Sequence, residues 1–385
     1  MMNKIFKKFI IIFLTTFLIY SNVSSEEEKI KIGVLVPMTG SNKELGQLII
    51  KSTRMALEDI GTNIFEIYPK DTASDPDQTL RSANDLSKMG INIVIGPIFY
   101  KNLIYLDEVE NITFLSLTNK IVNLPDNVVS SGINATSQLN AIKKFLKLND
   151  IKKTIFLMPQ EKHVEEIKKA IKESNIKLSK FHLYSAEPTK LTKQIEKITN
   201  YKIRKQNLAD EIKRVKNSNL PDKDKQIEKL NKRYTIGNLR FDSVIISDFD
   251  ESLKSVMTSL LYTDVSPKKK YIITFNQWFD ESLVSEKTLQ PIYYPSINEK
   301  NLNNFNKKFF NKFKEQPNHL SLLSYDLVGL IYYLSLKTDI SDIDKLFKKK
   351  NSFKGKIGIF DIQNNKINHR LNFYQVNDGD LKKIF

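Results

Sequence analysis

Residues Lys29 to Ile60, KIKIGVLVPMTGSNKELGQLIIKSTRMALEDI, constrain this chain more than any other stretch. Ile30, Ile32, Val34 and Val36 fall on one face of a strand, with Gly33 and Leu35 on the other. A strand apolar on both faces belongs in a parallel sheet covered by helices on both sides. The turn Pro37–Gly40 ends it, and a long helix opens at Ser41/Asn42. A strand, a tight turn and a helix in that order predict a βα unit of a layered α/β domain.

The same rhythm continues. Phe65–Tyr68, Ile91–Ile95 and Thr113–Leu117 read as strands. Asp75, ahead of Pro76, reads as the cap of a helix reaching about Lys88. It restarts after Val128–Asn134, with a capped helix to Leu148, strands at Lys153–Met158 and Lys177–Tyr184, and a helix at Glu161–Ser174. Asp242–Ile246 and Tyr271–Phe275 are further strands flanking a helix near Ser252–Tyr262. The tail predicts helices at Asn301–Phe313 and His319–Leu336, then strands at Lys356–Phe360 and Leu371–Val376.

Two α/β lobes follow from this layout: residues 26–131 plus 297–342, and residues 132–296 plus 343–385. The chain is expected to cross between them near Ser131–Asn134, near Tyr293–Asn298 and around Ser341–Phe353. Several crossings make a hinge, and the cleft it closes is the natural place for a ligand. Residues 196–233 interrupt the second lobe with twelve Lys/Arg against six Asp/Glu. A structureless loop of that length would be unusual, so the segment predicts two charged helices forming an arm, either a solvated insertion or a docking surface.

Residues 1–25 read as a secretory signal peptide: Lys4, Lys7 and Lys8, then the apolar run Phe9–Tyr20, then Val23 and Ser25 at a small-residue cleavage site. That run is shorter than the ~20 residues of a spanning helix. The chain contains no cysteine, which excludes disulfides, thiol catalysis, thiolate metal sites and lipid attachment through a cysteine. Its net charge of +16 comes from lysines spread over most helices, without aromatic interleaving, so nucleic acid is not an expected partner.

No enzyme motif stands out. Neither GxGxxG nor GxxxxGK[ST] occurs, nor GxSxG, and the four histidines (His163, His182, His319, His369) lack HExxH spacing. No cofactor is expected. In open parallel sheets ligands lie beyond the carboxyl ends of the strands. Here those ends are Pro37–Ser41, Asp71–Thr72, Gly96–Lys101 and Leu117–Lys120 in the first lobe, and Pro159–His163, Ser247–Phe249 and Asn276–Trp278 in the second. Tyr100, His163, Phe249 and Trp278 are candidates for amphipathic walls.

The segments IGVLVPMTGSNKELGQLIIKSTRMALEDI, DTASDPDQTLRSANDL, IVIGPIFY, SYDLVGLIYYLS and SFKGKIGIFDIQNN, in that order, resemble the leucine-binding-protein family of type I periplasmic binding proteins. IGPIF, the charged arm before FDSVIISD, and FNQWFD resemble its penicillin-binding-protein-activator branch. The resemblance implies two Rossmann-like lobes on a multi-strand hinge, and a non-catalytic periplasmic protein. It would bind an amino acid or similar small polar solute for an ABC-type permease, or alternatively act on a cell-wall synthase. Carried over residue by residue, the carboxylate-binding positions fall at Tyr100, Lys101, Thr118 and Asn119. The second-lobe aromatics fall at His163 and Phe249. Gln277 stands where the family pairs an acid with the ligand's ammonium, leaving Asp248 as the substitute.

Overall fold

The computed structural model describes residues 29–61, 63–160 and 163–385. The export segment expected at 1–25 lies outside them. Among the described residues no single helix is long and apolar enough to cross a membrane.

The first lobe opens with strand β1 (Ile30–Val36), helix α1 (Lys43–Ile60), β2 (Phe65–Asp71), α2 (Pro76–Lys88), β3 (Ile93–Ile95), β4 (Thr113–Ser116) and β5 (Val128–Ser130). All five strands pair in parallel. Ile32, Val34, Leu35 and Val36 are all buried, as a strand covered on both faces requires. Asp75 caps α2, its Oδ1 accepting the Gln78 N–H at 2.8 Å, and Pro76 occupies the first turn.

The second lobe contains α3 (Ala135–Leu148), β6 (Thr154–Pro159), α4 (Val164–Ser174), β7 (Lys180–Tyr184), α5 (Pro188–Ile198), α6 (Tyr201–Lys216), α7 (Lys223–Asn231), β8 (Ser243–Ile246), α8 (Asp250–Tyr262), β9 (Tyr271–Thr274), α9 (Glu281–Ser285) and β10 (Ile292–Ser296). Its apolar residues gather under α3, where Phe145 stacks on Phe373 with ring centres 4.5 Å apart and packs against Tyr271 and Tyr293. The charged segment forms α6 and α7. One face of α6 is buried through Tyr201, Arg204, Leu208 and Val215, whereas α7 buries no residue. Arg204 anchors the arm, donating to the carbonyl of Thr263 at 3.1 Å and to Thr235 Oγ1 at 2.6 Å.

After β10 the chain returns to the first lobe with α10 (Glu299–Phe313) and α11 (His319–Ser335). The α11 helix packs closely along α1, and Ser52 donates to the carbonyl of Ser321. Then come α12 (Ile343–Lys348), β11 (Asn351–Lys354), β12 (Ile359–Gln363), β13 (Lys366–Arg370), β14 (Asn372–Asn377) and β15 (Asp380–Lys383). The first sheet has the order β11-β12-β13-β5-β4-β3-β1-β2, and the second β15-β14-β10-β9-β8-β6-β7.

This topology corrects the expected lobe boundary. Residues 351–370 belong to the first sheet, whereas 343–385 as a whole was expected in the second lobe. The third crossing therefore falls at Leu371, between β13 and β14, instead of around Ser341–Phe353. Asn364 and Asn365, both with positive φ, turn β12 back onto β13 as a hairpin. The hairpin's place is set by distant partners: Lys366 pairs with Ser130, and Asn134 Nδ2 donates to the carbonyl of Ile367 at 3.0 Å.

Candidate ligand-binding cleft

The carboxyl ends of β3 and β4 supply one side of an interlobe cleft. Beyond β4 the chain is held by its own hydroxyls. Ser116 Oγ donates to the carbonyl of Pro97 at 2.8 Å, and Thr118 Oγ1 accepts the Lys120 N–H at 3.2 Å. The Thr118 carbonyl accepts from Gly132 N at 2.9 Å and from Ser130 Oγ at 3.1 Å. A Cβ on Gly132 would lie 2.5 Å from that carbonyl oxygen, so the first crossing passes this loop only with glycine. The other side comes from Phe249 after β8 and from Asn276 and Trp278 after β9. Trp278 lies across from α11, where its ring stacks on His319 with centroids 4.3 Å apart and planes 25° apart. The second-lobe indole thereby rests on a helix packed into the first lobe.

Between these walls lies a cavity of about 330 Å³, at the lower end of the ~300–1,000 Å³ usual for small-molecule sites. Ile98, Phe99, Leu117, Leu320, Leu323 and Ile357 give it an apolar lining. Its polar groups are few: Tyr100, Thr118, Asn119, Lys120, Asn276 and His319. Burial lowers the pKa of the Lys120 ammonium, and Glu166 partly offsets this. Burial also lowers the pKa of His319. Three larger hollows lie elsewhere. One of about 760 Å³ is at the amino ends of the first-lobe strands, beside Asn92, Thr113 and Asn127. A second, of about 840 Å³, is an open groove on α5 and α6. A third, of about 370 Å³, lies on the second lobe beside Lys180, His182 and Phe241. None draws on both lobes, so topology favours the cleft over volume.

Of the residues singled out from sequence, the cleft brings together Tyr100, Thr118, Asn119, Phe249 and Trp278. Tyr100 Oη also reaches the carbonyls of Val122 and Asn123, at 3.4 and 3.2 Å. Lys101 is exposed and does not wall the cavity; Lys120 is the lysine that does. His163 stands outside the cavity wall, ahead of α4 in a left-handed conformation.

Asp248 and Gln277 are engaged internally. The Asp248 carboxylate accepts from Tyr184 Oη at 2.6 Å, from Ser252 Oγ and from the Phe249 N–H. Burial, reinforced by that carboxylate, pushes the Tyr184 phenol far up, so it keeps its proton. Gln277 Nε2 donates to the carbonyls of Asp248 and Phe275, at 3.2 and 3.0 Å. The Pro37–Ser41 turn is likewise held away from this cavity. Asp71 accepts from the Thr39 hydroxyl at 2.6 Å and from the N–H groups of Met38, Thr39 and Ala73; partial burial raises its pKa, but these bonds, the hydroxyl's foremost, hold it below the usual carboxylate range.

The sequence reading held Lys120 and Asn276 only within its strand-end segments, naming neither as a contact, and it passed over His319 as a site residue. Lys120 and Asn276 sit at strand ends and were within reach of the topology rule. His319 arrives from the start of a helix that follows no strand, and no local signal marks it. Among the described residues no group of three or more His, Cys, Asp or Glu is placed to hold a metal ion.

No family model and no curated protein matches the sequence. Solved structures do. A branched-chain amino acid transporter substrate-binding protein, LivJ of Streptococcus pneumoniae, in complex with isoleucine, is 16% identical with a TM-score of 0.54, covering 92% of this chain and 98% of that one. An ABC transporter substrate-binding protein from Desulfitobacterium hafniense, in complex with Leu, is 12% identical with a TM-score of 0.60, covering 93% and 100%. Full-length LpoA of Haemophilus influenzae is 14% identical with a TM-score of 0.62; this chain spans only 59% of its length. The LpoA C-domain, described as a regulator of PBP1A, is covered completely at 13% identity and a TM-score of 0.61. Across two mixed, mostly parallel sheets, three crossings and a cleft between them, the chain has the fold of a type I periplasmic binding protein.

Proposed function

We propose that this is a non-catalytic, exported binding protein whose lobes close over a small organic solute of amino-acid size, for delivery to an ABC-type membrane permease. The observation that carries the reading is the cavity itself, walled by Thr118 and Lys120 from one lobe and by Phe249, Asn276 and Trp278 from the other. Tyr100, Thr118, Asn119 and Phe249 are the proposed ligand contacts, together with Lys120 and Trp278. A thermal-shift screen over small polar solutes tests it. A ligand at 100 times its dissociation constant adds ~2.7 kcal/mol of stability, a clear rise in melting temperature. Absence of any stabilising solute in a broad panel, amino acids included, contradicts it.

A second reading, regulation of a cell-wall synthase, is favoured by α6 and α7. Their exposed surface is strongly basic, and the likeness to the LpoA C-domain covers that domain in full. Arg204 is buried, so excising α6 would disturb the lobe; α7 buries nothing and can be altered cleanly. Reversing Lys223, Lys225, Lys229 and Lys232 to Glu should abolish capture of a synthase partner while leaving the melting temperature unchanged. Capture that survives reversal removes the arm from the account.

A further inference from the structure

The charge inventory of the cleft departs from what a zwitterionic ligand needs. Lys120 is the ammonium among its walls, and no carboxylate lines it. The nearby acids stand outside the cavity wall. Asp248 accepts three hydrogen bonds inside the second lobe. Glu166 lies behind Lys120; its Oε1 takes the Ile121 N–H at 2.6 Å, and its buried Oε2, without a hydrogen-bond partner, does not line the cavity. At Gln277 the amide nitrogen is spent on two carbonyls. A ligand ammonium placed here would be desolvated beside a lysine with no acid to meet it.

A ligand oxyanion finds the opposite conditions. Lys120 forms no ion pair within 4.0 Å among the described residues. Asn276 is 3% exposed. Its Oδ1 accepts from Trp278 N and Ser296 Oγ, while its Nδ2, a buried donor at the cavity wall, has no acceptor. The remaining walls are aliphatic or aromatic and suit an apolar body.

We propose that the cleft takes a small organic monoanion with an apolar body and no ammonium group, of the 2-oxo acid type, its carboxylate held against Lys120. This rests on the cleft being the ligand site.

Calorimetric titration with matched pairs tests it: 4-methyl-2-oxopentanoate against leucine, and phenylpyruvate against phenylalanine. Within each pair the skeleton and carboxylate are shared, and only the carbonyl replaces the ammonium. An oxo acid should bind at least about tenfold more tightly than its amino acid partner. Lys120→Gln should lose most of that affinity with the ligand-free melting temperature unchanged. An amino acid binding as tightly as its oxo acid overturns the proposal and leaves the cleft as a ligand site, as does oxo-acid binding that Lys120→Gln leaves intact. If only neutral solutes bind, the proposal fails and the cleft reading stands; if no solute of any class binds, both fail.

Discussion

Glu166, on helix α4 of the second lobe, accepts the backbone N–H of Ile121, in the first lobe, at 2.6 Å. Lys169, one turn further along the same helix, donates to the carbonyl of that same residue at 2.6 Å. The two side chains grip one peptide segment across the lobe boundary, next to the cavity wall at Lys120. Burial raises the Glu166 pKa, opposed chiefly by the Ile121 hydrogen bond. Glu166→Ala leaves that N–H without its acceptor, at a cost of about 1–3 kcal/mol, and should enlarge the radius of gyration in solution scattering by freeing the lobes. Glu166→Gln retains an acceptor oxygen and should behave nearly as the parent. Equal behaviour of the two variants would remove the latch from the account.

Two buried groups respond to acid in opposite directions. Asp326 accepts the Lys356 and Ile357 N–H groups at 2.8 and 2.7 Å, and burial pushes its pKa up to about 6. It therefore holds a proton more tightly folded than unfolded, and its contribution favours folding below pH ~4 and is lost as pH rises to about 6. His369 lies against the first crossing, its Nε2 2.8 Å from the Ser131 carbonyl, and burial pushes its pKa down to about 4. Its contribution is complete above the ordinary histidine range and is lost as pH falls toward 4. Each is worth about 3 kcal/mol over that span, so they nearly cancel. Asp326→Asn should steepen the loss of stability on acidification between pH 6 and 4, and His369→Gln should flatten or reverse it. Denaturant midpoints across that range check this, and parallel profiles for the two variants would refute it.

Gly132 marks how tightly the first crossing passes the cleft. Gly132→Ala puts a methyl 2.5 Å from the Thr118 carbonyl oxygen, which should cost about 1–3 kcal/mol through overpacking. It should also weaken solute binding, because Thr118 is displaced. A melting temperature within a degree of the parent's would show that the loop yields freely.

The Trp278–His319 stack joins the lobes across the cavity. An aromatic pair is worth about 0.5–1.5 kcal/mol beyond its buried area. Trp278→Ala should therefore lower the melting temperature and, by removing a cavity wall, reduce solute affinity. His319→Phe should preserve the melting temperature, since a ring remains to stack on the indole. Loss of stability in His319→Phe equal to that in Trp278→Ala would argue for a role of the imidazole beyond stacking.

The layers of this fold were legible because local patterns encode them. Ile32–Val36 reads as a doubly covered strand, Asp75-Pro76 as a helix start, and the charged stretch after Glu196 as helices. The β12–β13 hairpin was misplaced because its position in the first sheet is fixed by Lys366 meeting Ser130 and by Asn134 reaching Ile367, contacts more than 200 residues apart in sequence. The site was half legible for the same reason. Thr118 and Phe249 follow from the rule that ligands gather at strand ends. Asp248 obeys that rule too, yet its carboxylate is turned inward by Tyr184 and Ser252, which no pattern near Asp248 announces. His319 reaches the cleft only because α11 packs along α1.

Trp278 is the only tryptophan in the chain and lies in the cleft wall, so emission excited selectively at the indole, beyond the absorption of the 15 tyrosines, reports on that cavity. Titration with a solute that raises the melting temperature should give a saturable change in Trp278 emission, with a midpoint equal to the calorimetric dissociation constant. Lys120→Gln should move that midpoint to higher concentration. A solute that stabilises the protein while leaving Trp278 emission unchanged at saturation would place the binding site outside the interlobe cleft.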